Sequence, residues 1–187
     1  MTKTFMPDLK SEAELEPIQI EGLKWTVKHA YAGSPFYRKR MQEAGINPQD
    51  IRNLDNIRRL PFTSADDLRM EYPFPLLAVP FDKVVRIHAS SGTTGKRKVL
   101  CYTEKDIRDW ADMFARCYEM AGISREDRVQ IAVGYGLWTA GVGFQFGCER
   151  FGAMAVPVGP GNLDMHTEIM ADLQTTVFCC TASMGLL

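Results

Sequence analysis

The residues best suited to chemistry lie in one loop, residues 89–98, which reads Ala-Ser-Ser-Gly-Thr-Thr-Gly-Lys-Arg-Lys. Glycine lets backbone N–H groups turn towards a ligand, hydroxyl groups donate further hydrogen bonds, and Lys96 adds a mobile positive charge. Such a loop could hold the phosphates of a nucleotide. Ser/Gly/Thr turns with exposed lysines are also common, so composition alone leaves a polar hairpin turn equally open.

Spacing excludes two other phosphate motifs. A Walker P-loop requires glycine at position 90 and serine or threonine after the lysine, whereas the chain has Ser90 and Arg97. A second glycine cluster, residues 134–139, follows a predicted strand, but Thr139 stands where a dinucleotide fingerprint has its third glycine. The spacing therefore argues against a P-loop NTPase and against a Rossmann oxidoreductase.

The 5 cysteines and 3 histidines are scattered without the paired spacing of a zinc site, so we predict no metal ligands in the chain. An odd number of cysteines without an export signal also argues against disulfides, and each cysteine is interpreted as a small buried residue. His88 lies in a predicted strand beside the loop. A hydrogen-bonded core histidine is favoured there over a catalytic base.

The composition is that of a globular protein, with 45% hydrophobic and 24% charged residues among 187 and a formal net charge of -1. This charge balance argues against nucleic acid and anionic membranes as partners. No window is long and apolar enough for a membrane span, and residues 1–10 lack a signal-peptide pattern. We therefore expect a cytoplasmic location.

Up to residue 80 the sequence predicts helices that are separated by proline and glycine. Ser11 with Glu14 predicts a capping box for the first helix. A second, short helix is expected to close at Gly45, and Thr63 with Asp66 predicts the cap of a third.

From residue 84 onwards predicted strands and helices alternate, which indicates right-handed crossovers and a mostly parallel sheet. The fold class is therefore α/β, with a helical segment over residues 1–80 and part of a helix-flanked parallel sheet over residues 81–187. Strands are expected at residues 84–89, 99–102, 128–133, 153–158 and 175–180, and helices from a Thr103–Asp106 cap to Gly122, at 139–150 and at 164–173.

Residues 90–96 match the Ser-Ser/Thr-Gly-Thr-Thr-Gly-Lys signature of adenylate-forming enzymes at every position. Five segments are similar, in the same order, to segments of the phenylacetate-CoA ligase family: Pro-Phe-Tyr-Arg at 35–38, Leu-Pro-Phe-Thr at 60–63, Arg-Ile-His-Ala-Ser-Ser-Gly-Thr-Thr-Gly-Lys at 86–96, Gly-Tyr-Gly-Leu at 134–137 and Cys-Cys-Thr at 179–181. The chain therefore resembles the N-terminal portion of that family. It departs from the family at Arg97 and Lys98, where proline and threonine are usual, and at Ala182, where proline is usual.

The resemblance implies an acid-thiol ligase of the AMP-forming type, which uses ATP, Mg²⁺ and coenzyme A to activate an aryl carboxylic acid through an acyl-adenylate. It implies that the ATP phosphates are bound by Ser90, Ser91, Gly92, Thr93, Thr94, Gly95 and Lys96. Tyr135, Gly136 and Trp138 are candidates for the aryl pocket, with a core position as the alternative for Trp138. By the same resemblance, both predicted segments are parts of one larger domain, and the catalytic residues are expected beyond residue 187. The chain alone is therefore expected to be an inactive fragment.

Two questions of function stay open at the sequence level. Phenylacetate is the leading acid, with benzoate or another small aromatic acid as a close rival. A non-catalytic nucleotide-binding or interaction protein that reuses the fold is the alternative class, and Arg97 and Lys98 favour it. In addition, the strand predicted at residues 175–180 has no polar face, so an exposed sheet edge there would favour self-association.

Overall fold

The structure is a computed structural model that describes residues 5–9, 11–70, 72–93 and 95–187. The α-helices are α1 (Glu12–Gly33), α2 (Pro35–Glu43), α3 (Glu104–Met120), α4 (Ala140–Phe151), α5 (Leu163–Leu173) and α6 (Ala182–Gly185). The strands are β1 (Val84–Ala89), β2 (Val99–Thr103), β3 (Arg128–Ile131), β4 (Met154–Val156) and β5 (Val177–Cys179). Short 3-10 helices lie at Pro48–Asp50, Leu54–Arg59 and Phe81–Lys83.

The chain divides into two compact units. The helical unit comprises residues 7–87 and 92–101, and the sheet unit comprises residues 5–6, 88–91 and 102–187. The boundary crosses β1 and also divides the candidate phosphate loop, so that Ser90 and Ser91 belong to the sheet unit and Gly92 onwards to the helical unit. The division at residue 80 into two parts of one larger domain stays a prediction.

In the helical unit the chain passes from α1 to α2 at Ser34, which is fully buried and caps α2 by accepting a hydrogen bond from the Tyr37 N–H. Pro35 at the first position of α2 is pre-set for a helix and lacks only an N–H that would have no partner there. A Cβ on Gly33 would lie 1.9 Å from the carbonyl oxygen of Ala78, so this close approach requires glycine. The core of the unit consists of Val27, Met41, Ile46 and Ile51.

Two helix starts predicted in this unit differ from the structure. α1 does begin after Ser11, but the Ser11 side chain makes no capping hydrogen bond, so the predicted box is not formed. The helix predicted after Thr63 is wrong, because residues 65–70 form turns. The reciprocal hydrogen bonds are made by Ser64 and Asp67 instead, at 2.7 and 3.1 Å. Prolines among residues 73–75 prevent a helix from continuing beyond these turns.

The sheet unit is built around β3, which pairs in parallel with β4 on one side and β5 on the other. Val129 and Ile131 of β3 are completely buried. The predicted α/β class with a parallel sheet between helices is thus confirmed. β1 and β2 pair with each other in a separate two-stranded sheet. The core of the unit consists of Ala115, Tyr118, Val129, Ile131, Val133, Cys148, Phe151 and Ala153.

α3 and α4 pack closely in the sheet unit. The predicted cap of α3 is confirmed, since Thr103 and Asp106 exchange backbone and side-chain hydrogen bonds of 2.8 and 3.2 Å. Gly143 and Gly147 of α4 face Phe114 of α3, and a Cβ on either glycine would lie 2.4 or 2.2 Å from a Phe114 atom. Because Gly143 and Gly147 have no side chains, α4 leaves room for Phe114 of α3.

Candidate functional site

Two glycines set the backbone of the candidate phosphate loop in the helical unit. Gly92 has a φ of +76° and Gly95 a φ of +130°, a region that only glycine adopts at little cost. The Gly95 N–H donates to the Gly92 carbonyl oxygen at 3.3 Å and closes a tight turn. A Cβ on Gly92 would lie 2.9 Å from Cγ of Arg97 and 3.2 Å from the Gly95 oxygen, so a side chain would crowd this turn.

The turn presents its polar side chains to solvent. Thr93 and Lys96 are exposed, and Thr94 lies outside the described residues. The Lys96 Nζ lies 5.3 Å from the centroid of the Tyr72 ring, which is a cation–π contact. A hydroxyl group, an ammonium group and a glycine-turned backbone are therefore available together for an anionic ligand.

Sequence reasoning missed two neighbours of this turn, Arg69 and Tyr72. The Arg69 Nε lies 3.9 Å from the position that a Cβ on Gly95 would occupy, and Tyr72 lies against Lys96. Arg69 precedes Gly95 by 26 positions in the chain, and Tyr72 precedes Lys96 by 24. No local spacing rule links residues at that separation, so a single sequence carried no signal for them.

In the sheet unit, the end of β1 lies beside the loop that follows β3. The Ala89 N–H donates to the Leu137 carbonyl oxygen at 2.8 Å. Ser90, which follows Ala89, is half-buried, and Ser91 is exposed. The first residues of the phosphate-loop motif thus lie beside the loop at the carboxyl end of the parallel strand β3, where α/β folds bind ligands.

The aryl-pocket candidates occupy this second loop. Tyr135 is half-buried; its hydroxyl has no hydrogen-bond partner in the described part of the chain, and burial, with a smaller effect of Glu149, raises the pKa of Tyr135. Gly136 has a φ of +94° and so is a conformational requirement of the loop. Trp138 is 56% exposed, which argues against the core alternative for its indole ring.

His88 was predicted to be a hydrogen-bonded core histidine, and half of that prediction is wrong. The side chain is 3% exposed, but neither ring nitrogen has a hydrogen-bond partner among the residues the structure describes. The ring instead packs edge-on to Tyr102, with centroids 5.0 Å apart, and lies 5.5 Å from the Trp110 ring. Aromatic packing thus holds this imidazole in the core, while its two nitrogens make no hydrogen bond with the described residues.

Of the cysteines in the sheet unit, Cys148 is buried and Cys179 and Cys180 are half-buried, but Cys117 is exposed, so the prediction that each cysteine is buried is wrong for Cys117. Burial, followed by the neighbouring Cys179 and Glu149, raises the pKa of the Cys148 thiol to about 12. Burial is also the main cause that raises the pKa of Cys179. Because the thiolate is the reactive form, these thiols are inert at neutral pH.

Among the described residues, no group of three or more His, Cys, Asp or Glu side chains could hold a metal ion. Within the same residues, none of the helices has the length and apolar character needed to cross a membrane.

Comparisons with known proteins identify relatives of the chain, although no protein-family model matches it. A phenylacetate-coenzyme A ligase of Escherichia coli (strain K12) is 44% identical over 185 residues, which are 99% of this chain and 42% of the relative. One from Aromatoleum evansii is 43% identical over 176 residues, or 94% of this chain and 40% of the relative. A 2-hydroxyisobutyryl-CoA ligase, solved in an open conformation with 2-HIB-AMP and CoA, superposes with a TM-score of 0.85 at 26% identity over 97% of this chain and 43% of that one.

The fold is that of the adenylate-forming CoA ligases. Within that class, the chain is similar to the phenylacetate-coenzyme A ligases over nearly its whole length, and the resemblance seen in its motifs is confirmed. The chain spans about two fifths of the length of these curated relatives, 42% and 40% in the two cases above.

Proposed function

We propose that the complete protein that carries these residues is an AMP-forming acid-thiol ligase that joins an aryl carboxylic acid to coenzyme A at the expense of MgATP. The observation that supports the proposal best is the similarity to phenylacetate-coenzyme A ligases, at 44% identity, over 99% of the chain. Phenylacetate is the leading acid and benzoate or another small aromatic acid its rival. A cytoplasmic location stays a prediction.

In the first proposed step, a carboxylate oxygen of the acid attacks the α-phosphorus of ATP. The bond from that phosphorus to the bridging oxygen breaks, and the acyl-adenylate and pyrophosphate form. The phosphate loop would hold the β- and γ-phosphates through the backbone of the Gly92–Gly95 turn, the hydroxyls of Ser90, Ser91, Thr93 and Thr94, and Lys96. Donors that are oriented before the reaction stabilise the charge growing on pyrophosphate without further reorganisation.

In the second proposed step, the thiol of coenzyme A attacks the acyl carbon, AMP leaves with its bonding electron pair, and the thiol loses its proton. The aryl group would occupy a pocket beside Tyr135, Gly136 and Trp138. Gly136, with a φ of +94°, sets the turn of the loop between these two residues, the neutral Tyr135 suits an aromatic neighbour, and the exposed indole of Trp138 would cover the ligand.

The proposal is tested by acid-dependent ATP-pyrophosphate exchange in the complete protein. Lys96→Ala and Thr94→Val should each lower the exchange rate, by about a hundredfold for a donor aimed at developing charge. Lys39→Ala is the matched control, because the Lys39 side chain is 78% exposed in a surface pair with Glu43. Exchange that needs no acid, or variants that match the control, would count against the ligase and favour a non-catalytic nucleotide-binding protein.

The acid pocket has its own test. Trp138→Ala should shift the relative activity towards bulkier aromatic acids, with little change in melting temperature because the indole is exposed. A large fall in melting temperature with unchanged acid preference would show that Trp138 serves packing.

A further inference from the structure

A second cation, Arg69, lies beside the glycine turn of the phosphate loop and is not part of the loop signature. Its Nε is 3.9 Å from the position that a Cβ on Gly95 would occupy. Its guanidinium pairs with Asp66 at 2.8 Å, and the Asp66 side chain is 85% exposed. An ion pair with so exposed a carboxylate contributes little stability, so this pair does not oppose the binding of a more strongly charged anion.

The turns that carry Arg69 are anchored to α2. Asp67, the second residue before Arg69, is 4% exposed and accepts hydrogen bonds from Ser64 Oγ at 2.9 Å and from Arg40 Nη2 at 2.9 Å. Arg40, in α2, also donates to the Phe62 carbonyl oxygen at 3.3 Å. Because Arg40 binds the Phe62 carbonyl oxygen before Ser64 and the Asp67 carboxylate after it, the turns that carry Arg69 are held in place.

Tyr72 follows Arg69 by three positions in the chain, and its ring contacts Lys96. The ammonium group lies 5.3 Å from the ring centroid, although both side chains are largely open to solvent. A lysine side chain has a long flexible stem and loses much conformational entropy when it is fixed. The Tyr72 ring already restricts the Lys96 side chain near the Gly92–Gly95 turn. Lys96 therefore loses less conformational entropy when it binds a phosphate.

We propose that Arg69 is a further phosphate-binding residue, which contacts the polyphosphate of ATP beside the Gly92–Gly95 turn, and that Tyr72 positions Lys96 for the same phosphates. The inference rests on the proposed function. A guanidinium matches two phosphate oxygens with a planar fork and is less strongly hydrated than an ammonium group. A nucleoside triphosphate carries more negative charge than one lysine neutralises, and Arg69 is the cation placed to neutralise part of the rest.

The main test compares two arginines in the complete protein. Arg69→Gln should raise the KM for MgATP about tenfold, the loss typical of one charge-assisted hydrogen bond, and leave the KM for the acid unchanged. Arg58→Gln is the matched control, since Arg58 also pairs with an aspartate three residues earlier and both of those side chains are more than 80% exposed. It should leave both KM values unchanged.

Two conservative variants separate binding from structure. Arg69→Lys keeps the charge but loses the fork, so its KM for MgATP should fall between those of the parent and Arg69→Gln. Tyr72→Phe keeps the ring and should resemble the parent, whereas Tyr72→Leu should weaken MgATP binding. An equal effect of Tyr72→Phe and Tyr72→Leu would overturn the positioning role.

A binding measurement makes the inference independent of catalysis. By calorimetry, Arg69→Gln should weaken the binding of inorganic tripolyphosphate but not of AMP, which lacks the β- and γ-phosphates. If Arg69→Gln matches Arg58→Gln for tripolyphosphate while Lys96→Ala weakens it, the inference is overturned and the proposed function stands. If the parent shows no exchange, the tripolyphosphate comparison still decides: equal binding by both glutamine variants, or none by the parent, overturns the role of Arg69.

Discussion

At the scale of single residues, His88 is a polar group in a place where the packing is apolar. Its ring lies among Tyr102 and Trp110, and neither nitrogen has a hydrogen-bond partner in the described part of the chain. A buried polar group that loses its water without gaining a partner destabilises the native state by about 1–3 kcal/mol. The residue lies two positions before Ser90, the first residue of the proposed phosphate loop, and such a cost is expected where function rather than stability is served.

We predict that His88→Phe raises the free energy of unfolding by about 1 kcal/mol, because the phenyl ring keeps the aromatic packing and removes the unsatisfied nitrogens. The same variant should lower acid-dependent exchange in the complete protein. Chemical denaturation measures the first effect. His29→Phe is the control, since His29 stacks on the exposed Trp25 and should leave stability unchanged. A clear loss of stability in His88→Phe would indicate that the imidazole has a partner in the native molecule.

The Asp67 carboxylate should make the stability of the protein depend on pH in the acidic range. Hydrogen bonds from the backbone and side chain of Ser64, and then the charge of Arg40, hold the pKa of Asp67 below its usual range. A group with a depressed folded-state pKa stabilises the fold above its unfolded pKa of about 3.9 and loses that contribution as pH falls through the folded value.

Stability should therefore decline as pH falls below about 4, and Asp67→Asn should flatten this part of the curve. Urea denaturation at a series of pH values from neutral to strongly acid tests this. Asp55→Asn is the control, because the Asp55 side chain is 82% exposed in its 4.0 Å pair with Arg58. Parallel curves for the parent and Asp67→Asn would show that the interactions of Asp67 do not differ between the two protonation states.

At the scale of elements, the close contact between α3 and α4 depends on two glycines of α4, which have no side chains. Gly147 faces the backbone and Cβ of Phe114, with only 2.2 Å available to a new Cβ, and Gly143 faces the tip of the same ring. Helix interiors generally disfavour glycine by about 1 kcal/mol relative to alanine. The two glycines are tolerated because their absence of bulk lets α3 approach.

Gly147→Ala should destabilise the protein by about 1–3 kcal/mol, the usual cost of overpacking a well-filled interior. Thermal and urea denaturation measure the change. Gly22→Ala in α1 is the matched control: nothing lies within 4 Å of a Cβ there, so this substitution should stabilise by up to about 1 kcal/mol. The same sign for both variants would show that helix propensity, rather than the contact with Phe114, governs Gly147.

The elements that the sequence predicted well are those with local signals. The capping box of α3 at Thr103 and the glycine ends at Gly45 and Gly122, with φ of +66° and +77°, depend on residues a few positions apart. The same local rule failed at Ser11, where no capping hydrogen bond forms, and at Thr63, where Ser64 and Asp67 make the reciprocal hydrogen bonds and turns follow. Local patterns propose an element, and the neighbouring chain decides whether it forms.

The sequence predicted the loop of the candidate site but not the residues that contact this loop from distant parts of the chain. The signature at residues 90–96 is contiguous, so one sequence suffices to find it. The contact of Arg69 with the turn joins distant positions, as does the buried pair of Gln130 and His166, with 2.8 Å between Gln130 Nε2 and His166 Nδ1. Such contacts are set by tertiary packing and leave no periodicity or spacing in a single sequence.

At the scale of the whole molecule, the parallel sheet has open edges in the part that the structure describes. The order β4-β3-β5 leaves β5 paired on one side only. The Ala132 N–H donates to the Cys179 carbonyl oxygen at 2.8 Å, so the backbone of Cys179 faces β3, and successive residues of a parallel strand face opposite sides. The Phe178 N–H is therefore directed towards the open edge, where an unpaired donor is a template for another strand.

We predict that the chain of these 187 residues self-associates through the β5 edge. Sedimentation at several protein concentrations should show a rising average mass, and Phe178→Pro should reduce it, because proline removes the donor at the edge and is tolerated in edge strands. Phe178→Tyr keeps both the N–H and an aromatic ring and so serves as the control. Circular dichroism of each variant would show whether the fold is retained. A monomer at every concentration, or equal association by both variants, would mean that the β5 edge does not mediate contact between chains.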